Sequence, residues 1–215
     1  MNSLNKYCYF NIEKIVQVFY YIQKYSDTKS VLNLMKYLFF SDRIHLREHY
    51  SLISLDKYVA LVNGPAASNS LDVLNKKNEY LSNFEHDDLK YLNNIKKCYK
   101  AERIILEIGT DLLSKNEMSS LDKAIEIFSG KELVEISHDY PEWKRYKNQF
   151  EEQVASSKTS KSIKIEMEDF FKNPDMKDSP AINKYFEGVD PLYKDNEYLD
   201  EARQFYLESL GQHGS

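Results

Sequence analysis

Asp42 and His45 are the residues of this chain whose types and spacing could do chemistry, because side chains three positions apart meet on one face of a helix. A carboxylate beside an imidazole is an acid–base pair, and His138 with Trp143 offers a second place where a site could be built. The best enzyme constellation available joins Asp42, His45 and His138 across the fold, as a small hydrolytic enzyme would require. Position argues for a different role. Asp42 lies four residues from both Leu38 and Leu46, inside an apolar stripe, where a carboxylate is costly unless it is hydrogen-bonded. The expectation is therefore a buried acid that ties its helix to a neighbouring backbone or side chain. His138 and Trp143 are in turn expected to anchor the end of the main domain. No G-x-S-x-G elbow, H-E-x-x-H helix, EF-hand loop or dinucleotide fingerprint occurs, and the five His are dispersed. Gly64 is followed by Pro65 and no Lys-Ser/Thr, so it reads as a turn and not a phosphate loop. The only cysteines, Cys8 and Cys98, form no C-x-x-C pair, so no disulfide framework, metal site or cofactor is expected, and a reducing cytoplasm is the simplest home.

The elements that must position these residues are mostly helices. Ile12, Ile15, Val16, Phe19 and Ile22 recur at helical spacing behind Asn11, a suitable N-cap, and Ser26-Asp27 breaks the pattern. A second helix is predicted from Lys29 to His49, with Val31, Leu34, Met35, Leu38 and Leu46 as its stripe. Ser54 then caps a predicted short helix carrying Tyr58, Leu61 and Val62, which Asn63-Gly64-Pro65 stops. Ser68 or Asn69 caps the next one, with Leu71, Val73 and Leu74. Between 83 and 113, Leu89, Leu92 and Ile95 suggest a helix and Arg103 to Ile108 a short strand, so a small sheet or hairpin is expected there. Ser114 and Glu117 make a capping box that opens a helix with Leu121, Ala124, Ile125 and Phe128. Ser129 and Glu132 repeat the box before Leu133, Val134 and Ile136. The small polar run from Val154 to Ser162 reads as a linker, which puts a boundary near 151. Beyond it Pro174, Pro180 and Pro191 keep the chain irregular until an amphipathic helix from Asp195 to Leu210.

Six Gly and five Pro in 215 residues favour long helices over many short strands, and 42% hydrophobic content is enough for one sizeable core. Lys plus Arg total 29 against 34 Asp plus Glu, a net charge of −5, the wrong sign for a general nucleic-acid-binding surface. Residues 151–215 hold 8 Lys plus Arg and 14 Asp plus Glu, so the excess negative charge lies in that stretch. The N-terminus lacks a signal-peptide h-region, and the apolar run from Leu34 to Phe40 is too short for a bilayer, so no membrane partner is expected. The residues alone thus give a mainly α protein, a compact helical domain with a small β element over 1–150 and an acidic C-terminal extension over 151–215. A binding module fits that description better than an enzyme.

The stretch LMKYLFFSDRIHLREHYSLISLDKYVALVNGPAASNSLDVL resembles the segment typical of Panacea-domain, SocA-like antitoxins. The resemblance is carried by Asp42, Arg43, His45 and Leu46, then Tyr58, Val59 and Ala60, then Gly64, Pro65 and Ser68. A second stretch, LSKNEMSSLDKAIEIFSGKELVEISHDYPEW, looks like the closing part of the same domain and ends in Ser137, His138 and Trp143. Two separated matches in the right order cover about residues 11–145. The chain departs in having Ala66 where Val is usual, and in a long insertion-like stretch before Arg103. The resemblance implies a non-enzymatic antitoxin of a bacterial or phage toxin–antitoxin pair, which neutralises a cognate protein toxin by direct contact. Its motif residues, Asp42, Arg43, His45, Gly64, Pro65, Ser68, His138 and Trp143, would then be structural or partner-binding. The alternative it implies is a proteolytic adaptor that delivers the toxin to the ClpXP protease.

Overall fold

The computed structural model describes residues 10–26, 28, 30–75, 108–155 and 161–212. The helix and strand expected between 83 and 107 lie outside the described residues. Asn11 accepts the Lys14 N–H at 3.1 Å and so starts α1 (Ile12–Tyr25), and Ser30 does the same for α2 (Val31–His49). Every residue of α2 from Leu34 to Arg47 is buried. The one-stripe expectation is exceeded because α2 is wrapped on all sides by α1, β2, later helices and the C-terminal part of the chain.

The short helix expected after Ser54 does not form, and residues 58–61 are a strand instead. β1 (Tyr58–Leu61) turns through Val62-Asn63 into β2 (Gly64–Ala67), with Leu61 paired to Gly64 and Tyr58 to Ala67. Tyr58 and Ala60 point into the core while Val59 and Leu61 are half-buried, the alternation of a strand with one covered face. A two-residue connection closes this hairpin, and Gly64 takes the positive φ of +99° that the tight approach demands. β3 (Ile163–Lys164) pairs antiparallel on the other side of β1, giving the order β2-β1-β3.

α3 (Ser68–Leu74) follows directly, then α4 (Lys115–Phe128), whose Ser114–Glu117 box is formed in both directions at 3.2 and 2.8 Å. The second box does not form. Ser129 instead closes α4 on the Ile125 carbonyl, Gly130 follows at φ +68°, and α5 (Leu133–Asp139) starts without a side-chain cap. α6 (Pro141–Lys144), α7 (Lys147–Ala155), two 3-10 turns (Met167–Phe171 and Met176–Asp178), α8 (Pro180–Phe186) and α9 (Asn196–Gln212) complete the chain. The protein is mainly α with a small antiparallel sheet.

The boundary expected near 151 falls inside α7, and the residues beyond it are not peripheral to the core. Ile165, Phe170, Phe171, Ile182, Leu192 and Ala202 belong to the same apolar cluster as Leu38, Phe40 and Phe128. Asp139 at the end of α5 accepts the Ala181 and Ile182 N–H groups at 2.7 and 2.9 Å, capping α8 from across the fold. Ala202 lies on the amphipathic helix expected from Asp195, but the apolar residues from 165 to 192 show no helical or strand period in sequence, which is why that part reads as irregular.

Candidate functional site

The motif residues gather on α2 and on the hairpin beside it. Asp42 is fully buried and accepts the Ser54 N–H at 3.0 Å, the Ser54 hydroxyl and the Tyr58 hydroxyl at 2.7 Å. It therefore ties α2 to the loop before β1 and to β1 itself. Burial pushes its carboxyl up to about 6, against the three hydrogen bonds, which pull it down. A few residues on, Asp56 accepts Asn69 N–H at 3.1 Å and Ser70 N–H at 2.7 Å, so this distant acid caps α3 in place of Ser68 or Asn69. Ser68 instead donates its N–H to the Lys57 carbonyl at 2.8 Å, extending the hairpin pairing.

Arg43 and Arg47 leave α2 one turn apart and meet the C-terminal part of the chain. Arg43 is ion-paired to Glu142, with both side chains at zero exposure, donates to the Lys172 carbonyl at 2.5 Å and lies 4.6 Å from the Tyr140 ring centre. Arg47 donates to the Phe170, Lys172 and Leu192 carbonyls at 2.7, 2.7 and 2.9 Å. Tyr140 hydrogen-bonds Asp190 at 2.7 Å, and the Asp190 charge favours the protonated form of both guanidinium groups. Burial lowers Arg43 to about 10, so it stays charged at neutral pH. Two buried cations thus face two buried carboxylates, Glu142 and Asp190.

A third cluster surrounds Gly64. Lys36 is 1% exposed and donates to the Pro65 carbonyl at 2.7 Å, and burial alone lowers its ammonium to about 7. A Cβ on Gly64 would lie 2.5 Å from both Lys36 Nζ and Ser137 Oγ, so this glycine is where the hairpin meets α2 and α5. His138 stacks on Trp143 at 3.6 Å, and the Trp143 indole donates to the Leu61 carbonyl at 2.7 Å, at the end of β1. His45 sits elsewhere, edge-on to His49 at 4.7 Å. Burial holds both His45 and His138 down at about 4, His49 adding to the first and the Lys36 charge to the second. Both imidazoles are neutral at pH 7.

Asp42, His45 and His138 therefore engage three separate sets of partners. Among the described residues no group of three or more His, Cys, Asp or Glu is placed to hold a metal ion. No helix of the described residues is long and apolar enough to cross a membrane. Sequence reasoning assigns no role to Lys36, Glu142 and Asp190, and Arg47 stands out only as a neighbour of Arg43 and His45. Two signals were present: a lysine inside the apolar run 34–40, and a second arginine four residues after Arg43 on the same helix face, which demands buried counter-charge.

A family model described as the antitoxin SocA-like, Panacea domain matches residues 34–144 of the 215. No curated protein matches the chain, and no solved structure does. The matched stretch runs from inside α2 to the end of α6 and contains every motif residue named above.

Proposed function

With the chain a member of the SocA-like Panacea-domain family, we propose that it is an antitoxin that neutralises a protein toxin by direct contact and carries out no catalysis of its own. The observation that carries this reading is the fate of the family motif. Asp42, Arg43, Gly64, Pro65 and Trp143 are all engaged in joining elements of the scaffold, and Asp42 and Arg43 have no exposed surface. A catalytic acid or base has to reach a substrate, and a fully buried carboxylate with three internal donors does not. A scaffold made rigid by such groups instead presents its surface to a partner with little rearrangement.

The test is growth rescue. The reading frame adjacent to this one is induced with and without the protein, in strains with and without ClpXP. Rescue in both strains is the expected result. Rescue only with the protease would favour the adaptor mechanism, and a harmless neighbouring frame would reject the pairing.

A further inference from the structure

His45 and His49 stand four residues apart on α2, the spacing that puts two imidazoles on one helix face and that helical metal sites use. Their rings are in contact, with centres 4.7 Å apart and planes at 88°. Two imidazoles held by one ion through N–metal bonds of about 2.0–2.1 Å have ring centres about 4.5–5.2 Å apart, for an angle at the ion between square-planar and tetrahedral. The pair already has the separation of a chelate.

His45 is 5% exposed, and its Nδ1 is buried without a hydrogen-bond partner among the described residues. A buried polar atom in that condition costs stability until something meets it, and the neutral ring that burial and then His49 enforce has a lone pair to give a metal ion. The charged groups that face His45 are already matched to others. Glu117 is paired with Lys14, and Glu48 with Lys123 at 2.6 Å and Lys194 at 3.2 Å, so the donors on offer are two nitrogens and no free carboxylate. His49 is half-buried and borders a groove of about 630 Å³ between the loop after α2, β3 and the last turns of α9. That groove gives an ion its way in.

We propose that His45 and His49 bind one divalent transition-metal ion, of the Ni²⁺, Cu²⁺ or Zn²⁺ class, as a two-nitrogen chelate. Two protein ligands fall short of a closed structural centre, so water fills the remaining positions. Imidazole ligation selects these ions over Mg²⁺ and Ca²⁺, which take oxygen ligands. An ion that needs the helical spacing of the two rings binds the folded chain and raises its melting temperature. The site stands whether or not the protein neutralises a toxin.

The test uses the full chain without a histidine tag, melted by circular dichroism with NiCl2 or ZnCl2 and, as a control, MgCl2. The melting temperature is expected to rise with Ni²⁺ and Zn²⁺ but not with Mg²⁺. His49→Gln alters a half-buried side chain with no hydrogen bond among the described residues, so without metal it is expected to melt as the wild-type protein does. Its Ni²⁺ affinity by calorimetry is expected to fall at least about tenfold. Should this variant melt lower on its own, the same titration below that temperature decides. No rise with either ion, a rise that Mg²⁺ matches, or a Ni²⁺ affinity that His49→Gln keeps in full overturns the proposal.

Discussion

Two regions of this molecule put their side chains to opposite use. Along the middle of α2, Asp42, Arg43 and Arg47 are charged, have almost no exposed surface, and are bonded to Ser54, Tyr58, Glu142 and the carbonyls of 170, 172 and 192. Past the end of the same helix, Leu55, Phe205 and Leu210 are apolar and border an open groove. The difference teaches what most of the family motif does in this fold. Asp42, Arg43, Gly64, Pro65 and Trp143 of the family motif join elements of the scaffold, and the open apolar groove lies beside them, with one wall from the matched stretch and one from beyond it.

That contrast fails most visibly if the C-terminal part of the chain is dispensable. Ending the chain at residue 160 takes away the carbonyl partners of Arg43 and Arg47, Asp190, and the buried Phe170, Phe171 and Ile182. The truncated protein is expected to lose cooperative thermal unfolding by circular dichroism, and a native-like melt would break the account. Arg47→Ala is the next largest effect. Removing one member of a buried, bonded charge cluster costs about 3–5 kcal/mol, to be read from urea denaturation. Gly64→Ala places a methyl against Lys36 and Ser137 at a positive φ and is expected to cost about 1–3 kcal/mol by the same measurement.

The smallest effect is a pH dependence that sharpens the comparison by reporting on a single buried group. Burial lowers Lys36 from its ordinary 10.5 to about 7, so between those values the unfolded chain holds a proton that the folded chain lacks. Stability from this group is therefore fully present above 10.5 and is lost as the pH falls toward 7. Lys36→Met is expected to flatten the rise in urea midpoint between about pH 7 and about pH 9 that the wild-type protein shows. An unchanged slope would mean that Lys36 keeps its proton inside the fold.

Much of this architecture can be read in advance where the cause is local. Asn11 and the Ser114–Glu117 box cap their helices as their residue types dictate, and the apolar stripe around Asp42 correctly demands an internal partner for that acid. The hairpin escapes because Tyr58, Leu61 and Val62 also fit a helical spacing, while the deciding contacts, Asp42 with Tyr58 and β3 with β1, come from remote segments. Asp56 escapes for the same reason: it caps a helix whose first residue is twelve positions later. The identity of Asp42's partners, the carbonyls that receive Arg47 and the glycine contact with Lys36 are all tertiary facts, and no periodicity encodes them.

The measurement that tests the scaffold role of the buried charges most directly is growth rescue against the adjacent toxic frame, plotted against melting temperature for variants of α2. The account predicts that Asp42→Asn and Arg47→Ala lose rescue only in proportion to lost folding. An Asp42→Asn protein that is fully folded yet unable to rescue would contradict it.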